Sequence, residues 1–211
     1  MTMADAGMLG RGHTGSKEAL RDALVSRRGS VSGGEVNRVG ARVSDFLKGL
    51  LTTGKTETVV GYVPIGNEVD VSSFLQWCGA CGHDLLLPRF NAQRQGYELA
   101  SITDFERDTA LGWYGIPEPV PGIPAVSEAR AKGSAVTWLV PALAFDRIGN
   151  RLGRGKGFYD RLLEGAVGLK IGVAYSWQVL TEALPIQEYD VPVDVVVSEE
   201  GVIGCNLDYT V

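Results

Sequence analysis

The sequence predicts an α/β fold: a single three-layer domain in which helices flank a mostly parallel central sheet. Segments rich in β-branched residues, typical of buried strands, alternate along the chain with segments of helical periodicity. This alternation favours parallel strands joined by helical crossovers, a Rossmann-like arrangement, although the chain carries no dinucleotide-binding fingerprint. With 211 residues, 45% of them hydrophobic, the chain can bury a core without disulfides or a structural metal.

Two helices are predicted at the start of the domain. The first runs from about residue 16 to residue 28, with Ser16 as its N-cap. The second begins at Ser32 and Glu35, whose spacing is that of a capping box. Apolar residues then recur at the helical period over residues 36–50. We expect residues 1–15 to be a flexible leader and residues 16–211 to form one catalytic domain.

The later elements alternate between strands and helices. Helical periodicity covers residues 71–81, which end at Gly82, and residues 156–163. A long connection punctuated by prolines covers residues 112–124. Ligands of such folds bind at the carboxyl ends of the strands. The predicted strands are residues 56–63, 85–87, 97–102, 136–140, 169–175, 191–198 and 201–203.

Charge and composition restrict the classes of partner. The formal net charge is -5, whereas proteins that bind nucleic acid usually present a basic surface, so we expect no nucleic-acid partner. No apolar run reaches the length that spans a bilayer, and the first residues lack a signal-peptide core, so we expect no membrane partner. Three cysteines form no disulfide framework, which favours a reducing, cytoplasmic location. We expect a monomer that acts on small molecules.

The segment Arg151–Gly157, here called the glycine loop, carries the clearest chemical signal. It follows a predicted strand and enters a predicted helix. Glycines allow successive backbone N–H groups to converge on one anion, and the N-terminus of the following helix adds to that field. Cations among them suit phosphate oxygens. The loop alternates three glycines with cations: Arg151, Gly153, Arg154, Gly155, Lys156 and Gly157.

The glycine loop matches neither of the common nucleotide-binding motifs. A P-loop would need glycine where Asn150 stands, and serine or threonine where Gly157 stands. The dinucleotide fingerprint would need glycine at Phe158. The sequence therefore predicts another kind of phosphate loop.

Two neighbouring signals have structural alternatives. Asp146 and Gly149 have the spacing of a type I turn, which we favour over a catalytic role for Asp146. Cys78 and Cys81 have the spacing of a thioredoxin-type redox pair, but they lie at the end of a predicted helix rather than at its start. We therefore do not expect redox chemistry.

The run from Pro141 to Arg161 resembles the signature of the 5-formyltetrahydrofolate cyclo-ligases, also called 5,10-methenyltetrahydrofolate synthetases. The run is Pro-Ala-Leu-Ala-Phe-Asp, then Asn-Arg-Leu-Gly-Arg-Gly-Lys-Gly-Phe-Tyr-Asp-Arg after three residues. The resemblance covers roughly residues 16–200. Phe158 departs from the family pattern, in which tyrosine is common, but it keeps the aromatic surface. Shorter matches are Lys17–Arg21, Tyr62–Asp70, Leu87–Arg89, Tyr114–Pro119 and Val193–Glu199.

The resemblance implies an enzyme that uses ATP and Mg²⁺ to convert 5-formyltetrahydrofolate into 5,10-methenyltetrahydrofolate, with release of ADP and phosphate. A formamide oxygen leaves poorly, so the formyl oxygen would first be phosphorylated, giving an iminium phosphate that N10 attacks. Two other functions stay open: an ATP-using paralogue that acts on another small molecule, and a folate-binding protein without turnover.

The resemblance also implies site residues. Lys156, Arg154 and Tyr159 would be catalytic. Substrate-binding positions would be Val63, Glu68, Tyr114, Arg154, Gly155, Lys156, Gly157 and Phe158. ATP would contact Lys17, Arg21, Arg151, Leu152, Gly153, Arg154, Gly155, Lys156, Gly157, Phe158 and Tyr159.

Several of these positions also have simpler interpretations. Lys17 and Arg21 share a helix face, which suits a phosphate and equally suits solvent. Glu68 would hold the N–H donors of the pterin or orient the formyl group; the simpler interpretation is an acidic loop residue. Tyr114 would line the pterin pocket or have only a packing role. Asp160 and Asp194 match magnesium ligands, although Asp160 also suits a helix N-terminus and Asp194 the start of a strand.

Overall fold

The computed structural model describes residues 17–112 and 115–205. The helices are α1 (Lys17–Gly29), α2 (Gly33–Thr53), α3 (Ser72–Ala80), α4 (Phe105–Asp108), α5 (Glu128–Ala131) and α6 (Phe158–Leu163). The strands are β1 (Thr58–Val60), β2 (Asp84–Asn91), β3 (Gly96–Ile102), β4 (Thr109–Leu111), β5 (Pro117–Pro119), β6 (Val136–Pro141), β7 (Ala144–Asp146), β8 (Arg151–Leu152), β9 (Leu169–Val173), β10 (Val179–Leu180), β11 (Val195–Ser198) and β12 (Gly201–Gly204).

The centre of the fold is a seven-stranded sheet in the order β12-β11-β9-β6-β1-β2-β3. The strands from β11 to β2 run parallel to one another, and β12 and β3 pair antiparallel at the two edges. The predicted α/β class with a mostly parallel sheet is therefore confirmed. The expected leader, residues 1–15, lies outside the described residues.

Apolar side chains on both faces of the sheet form the core. Successive residues of a strand point to opposite faces, so Val59 and Val60 belong to different clusters. One face packs under α2 and α3 through residues such as Val43 and Phe74. The other packs under β7 and α6 through Phe145 and Leu163. Burial on both faces explains why the strands are apolar without alternation.

Several predicted elements are shorter in the structure than in the sequence pattern. β1 ends at Val60, so residues 61–63 continue past the strand as an irregular segment. α6 begins at Phe158 rather than at Lys156, because Gly157 has φ +62°, which ends any helical path. The predicted helix over 71–81 is observed as α3, with Cys81 as its C-cap.

The hairpin of β7 and β8 was not predicted, and it positions the glycine loop. Phe145 of β7 packs directly on Gly172 of β9, where a Cβ would lie 2.7 Å from the Phe145 ring. Asp146 closes the turn: its buried carboxylate accepts hydrogen bonds from the backbone N–H groups of Ile148 and Asn150. The turn interpretation of Asp146 is thus confirmed, and β8 leads the chain into the glycine loop.

Candidate active site

A cavity of about 870 Å³ opens at the carboxyl edge of the parallel sheet. Residues that follow β1 and β6, including Val63 and Leu143, form its floor. The glycine loop and α6 form one wall, and the pocket-facing side of α1 forms another. The predicted position of a ligand site, at the carboxyl ends of the strands, therefore holds a cavity of suitable size for a cofactor or a substrate.

The glycine loop owes its path to backbone conformations that favour glycine. Gly155 has φ +87° and Gly157 has φ +62°. α1 packs against this loop: the Arg21 Nε–H donates a hydrogen bond of 3.1 Å to the carbonyl of Gly153. A Cβ at Gly155 would lie 3.4 Å from the Arg21 guanidinium carbon, so the loop and the helix are in close contact.

Among the described residues, seven cationic side chains line the cavity, and the five that were predicted to bind phosphate are among them. Arg151 is buried, with only 6% of its side chain exposed, whereas Arg154 is 52% exposed. A cluster of this kind attracts a polyanion of small size. The five are Lys17, Arg21, Arg151, Arg154 and Lys156.

Arg151 and Asp160 form an ion pair at the base of the loop, through Arg151 Nη2 and Asp160 Oδ1. The Arg151 guanidinium also lies 5.8 Å from the centroid of the Tyr159 ring. Its Nε is buried and has no hydrogen-bond partner within the described ranges. A buried donor without a partner is unfavourable, and a bound anion at this position would satisfy it.

Glu68 lines the cavity and is buried. Its Oε1 accepts a hydrogen bond of 3.0 Å from Arg28 Nη1 and lies 3.7 Å from Arg154 Nη2. Its Oε2 accepts the backbone N–H of Ile65 at 3.0 Å. Both carboxylate oxygens are therefore occupied, and Glu68 links α1 to the exposed arginine of the glycine loop.

Arg28 was missed from the sequence, although it is 5% exposed and lines the cavity. Burial lowers its pKa, an effect that the negative charge of Glu68 opposes. The signal was available: Lys17, Arg21 and Arg28 stand at positions i, i+4 and i+11, which fall on one face of a helix. Cations are common in the last turn of a helix because they interact favourably with the helix dipole, so the position of Arg28 alone did not identify it as a site residue.

Two tyrosines near Glu68 are held in their protonated form. Burial, followed by the charge of Glu68, raises the pKa of Tyr62 and of Tyr159 above the ordinary tyrosine value. The Tyr62 hydroxyl donates to the carbonyl of Val69 at 2.8 Å. Tyr159, predicted to be catalytic, can therefore donate a hydrogen bond at neutral pH but cannot serve there as a base.

The end of the cavity formed by β3 and β5 is apolar and aromatic, and it meets the glycine loop at Phe158, whose ring centroid lies 5.9 Å from Lys156 Nζ. Tyr97 packs edge to face on Phe158, with ring centroids 4.8 Å apart. One carboxylate, that of Glu118, belongs to this end and is buried. Tyr114, predicted to line the pocket, lies outside the described residues. Val63 and Phe158, also predicted for substrate binding, do line the cavity, together with Pro88, Tyr97, Ile116 and Pro117.

The structure does not bring Asp194 to the cavity. Asp194 precedes β11, at the amino end of the parallel strands, whereas the glycine loop lies at their carboxyl end. Its carboxylate lies 3.0 Å from Lys170 Nζ and accepts the Lys170 backbone N–H at 2.8 Å. The expected magnesium site shared by Asp160 and Asp194 does not match this placement. Over residues 17–112 and 115–205, no group of three metal-ligating side chains is formed.

The cysteine pair does not have the setting of a redox motif. Cys78 is buried in α3, and burial raises the pKa of its thiol to about 12. Cys81 is exposed at the C-cap of the same helix. A reactive thiolate needs a lowered pKa, so the geometry supports the structural interpretation of this pair.

Comparison with known proteins identifies the family. The model of the 5-formyltetrahydrofolate cyclo-ligase family matches residues 13–199. The 5-formyltetrahydrofolate cyclo-ligase of Mycolicibacterium smegmatis is 36% identical over 181 residues, which cover 83% of this chain and 90% of the relative. The chain belongs to the 5-formyltetrahydrofolate cyclo-ligase family.

Solved structures of the family have the same fold. The 5,10-methenyltetrahydrofolate synthetase of Aquifex aeolicus superposes with a TM-score of 0.78 at 35% identity, covering 92% of this chain and 95% of that one. The synthetase of Mycoplasma pneumoniae superposes with a TM-score of 0.68 at 24% identity, covering 88% and 99%. The resemblance inferred from the glycine loop is thus confirmed, and the chain is an enzyme, a cyclo-ligase.

No helix among the described residues of this cyclo-ligase is both long and apolar enough to cross a membrane. The expectations of a monomer and of a cytoplasmic location stay predictions.

Proposed function

We propose that this cyclo-ligase converts 5-formyltetrahydrofolate into 5,10-methenyltetrahydrofolate, with ATP becoming ADP and phosphate. The observation that carries the proposal is the two-ended cavity. A cationic glycine loop and an apolar, aromatic slot open into one space of about 870 Å³, so a phosphate chain and a flat heterocycle can lie side by side.

ATP fits the cationic end. Glycines allow backbone N–H groups of the loop to converge on an anion, and the cations of α1 and of the loop line the same cavity. Arg151 has a buried Nε that an anion would satisfy. We assign Lys17 and Arg21 to phosphate contacts from the helix side, and residues 151–159, including Leu152 and Gly153, to contacts from the loop side.

The chemistry explains why ATP is required. Direct attack of N10 on the formamide would have to expel oxide or hydroxide, which are poor leaving groups. If the formyl oxygen attacks the γ-phosphorus, ADP leaves and the N5-formyl group becomes an iminium phosphate. N10 then attacks its carbon and loses its proton, and phosphate departs as the methenyl bond forms.

The enzyme's residues would align these atoms and offset charge. Arg154 and Lys156 line the cavity and would offset the negative charge that spreads over the transferring phosphoryl group, which is the largest demand of such reactions. Tyr159 keeps its proton and would donate a hydrogen bond to a phosphate or formyl oxygen. Glu68 fixes the direction of Arg154, so it would act on alignment more than on proton transfer.

Only one of the two expected magnesium ligands fits. Asp160 lies beside the phosphate loop, and its Oδ2 makes no hydrogen bond within the described residues, whereas Asp194 pairs with Lys170 at the far end of the sheet. Mg²⁺ commonly binds through one or two carboxylates plus substrate phosphates, so Asp160 alone would suffice. Asp160 would hold the ion, which would offset the negative charge of the phosphates.

An ATPase assay with and without 5-formyltetrahydrofolate separates this function from its alternatives. The proposal predicts ADP release that depends on the folate and equals methenyl formation. ADP release that does not depend on the folate would favour a paralogue with another substrate. Folate binding without any ADP release would favour a binding protein.

A further inference from the structure

Glu118 differs from Glu68, the other glutamate of the cavity, in having no cationic partner among the described residues. Glu68 has Arg28 and Arg154 within ion-pair distance. No ion pair involves Glu118 among the residues that the structure describes, although its residue is only 7% exposed. A buried carboxylate without a cation is costly unless donors surround it, so the site lacks donors that a ligand would bring.

The carboxylate of Glu118 is held in place on one side and open on the other. Its Oε2 accepts the backbone N–H of Phe90 at 3.0 Å. Its Oε1 makes no hydrogen bond within the described ranges, and the residue lines the cavity. Gly112 makes room for it, because a Cβ there would lie 2.4 Å from the Glu118 carboxyl carbon.

The surroundings of Glu118 suit a flat ring. β5 places the residue between Pro117 and Pro119, which have no N–H donors. The slot is completed by Pro88, Tyr97 and Phe158. An apolar slot with one oriented carboxylate selects a planar ligand that presents adjacent N–H donors on its edge.

We propose that Glu118 determines the specificity for the pterin by accepting hydrogen bonds from its 2-amino and N3–H groups. The inference rests on the proposed function, since it takes the folate as the substrate. It assigns the two carboxylates separate roles: Glu118 recognises the amino edge of the ring, and Glu68 orients the arginine of the glycine loop.

The test compares 5-formyltetrahydrofolate with its 2-desamino analogue in calorimetric titrations without ATP. The wild-type enzyme should bind the analogue about tenfold or more weakly, the range expected for a lost hydrogen bond to a charged group. Glu118→Gln keeps an acceptor for the Phe90 N–H but turns a donor toward the ring. It should bind 5-formyltetrahydrofolate about tenfold more weakly and lose the preference over the analogue.

Glu68→Gln is the contrasting variant and keeps the inference testable if Glu118→Gln does not fold. It should lower turnover and leave the preference for the 2-amino compound intact. Loss of that preference in Glu68→Gln, or its survival in a folded Glu118→Gln, would overturn the assignment. If the wild-type enzyme binds no 5-formyltetrahydrofolate, the proposed function itself fails, which is visible without any variant.

Discussion

Arg28 Nη1 lies 3.0 Å from Glu68 Oε1, and the two side chains are 6% and 9% exposed. The pair joins the end of α1 to the loop that follows β1, beneath the exposed Arg154 of the glycine loop. Because the pair is buried, removing either charge would leave the other buried without a partner, which is strongly destabilising.

Arg28→Met should destabilise the protein by about 3–5 kcal/mol, since it leaves the Glu68 carboxylate buried without its partner. Chemical denaturation measures the free energy of unfolding. The double variant Arg28→Met with Glu68→Gln should recover much of the loss, because it removes both charges. A double variant that is as unstable as the sum of the single variants would contradict the pairing.

Gly155→Ala should raise the KM for ATP while lowering stability by only about 1 kcal/mol, because φ +87° is strained for alanine and the loop is exposed. Steady-state kinetics with ATP as the varied substrate checks the first effect and thermal unfolding the second. Gly122→Ala is the matched control, since a Cβ at that position would meet nothing within 4 Å and its φ is not positive. Equal effects of both changes would count against the role of the loop.

Asp194→Asn and Asp160→Asn should affect different properties. Asp194→Asn weakens the pair with Lys170 and should lower stability by about 1–3 kcal/mol, with the magnesium dependence of the rate unchanged. Asp160→Asn should raise the magnesium concentration needed for half-maximal rate. A raised magnesium requirement in Asp194→Asn would restore Asp194 as a ligand and refute the assignment to Asp160 alone.

Cys78 should resist alkylation in the folded enzyme, whereas the exposed Cys81 should react. Burial raises the pKa of the Cys78 thiol from 9.0 to about 12, so the folded state keeps its proton where the unfolded state loses it. Its contribution to stability is therefore complete below pH 9.0 and is lost as the pH rises toward about 12. Mass spectrometry after iodoacetamide treatment checks the reactivity. Modification of Cys78 in folded protein as fast as that of Cys81 would contradict its burial.

The sequence predicted the elements that depend on local patterns. Ser32 is observed as the N-cap of α2, with its side chain accepting the Glu35 N–H, and the buried strands lie where apolar residues cluster. The β7–β8 hairpin was missed because its strands span only three and two residues, too few for a period. The observed start of α6 differs from the predicted one because Gly157, the residue before the helix, has a positive φ.

The same holds for the site: its consecutive residues could be predicted from the sequence, whereas residues that meet only in the fold could not. The residues of the glycine loop are consecutive in the sequence, so its phosphate-binding chemistry could be predicted without knowledge of the fold. Glu118 contributes through burial and through neighbours distant in the chain, which no spacing reveals. Arg28 shares a helix face with Lys17 and Arg21, but its burial against Glu68 could be seen only in the fold. Asp194 precedes β11, at the end of the sheet away from the cavity, which agrees with its alternative interpretation as the start of a strand.

The most direct test of the central claim follows the near-ultraviolet absorbance of the methenyl product, with enzyme, 5-formyltetrahydrofolate, ATP and Mg²⁺. We expect a rise in absorbance that requires both ATP and Mg²⁺. We also expect Lys156→Ala to lose most of the rate with little change in melting temperature, because this exposed lysine binds the phosphate and does not pack in the core. A rise without ATP, or a fall in melting temperature that matches the fall in rate, would contradict the claim that the glycine loop binds the phosphates of ATP.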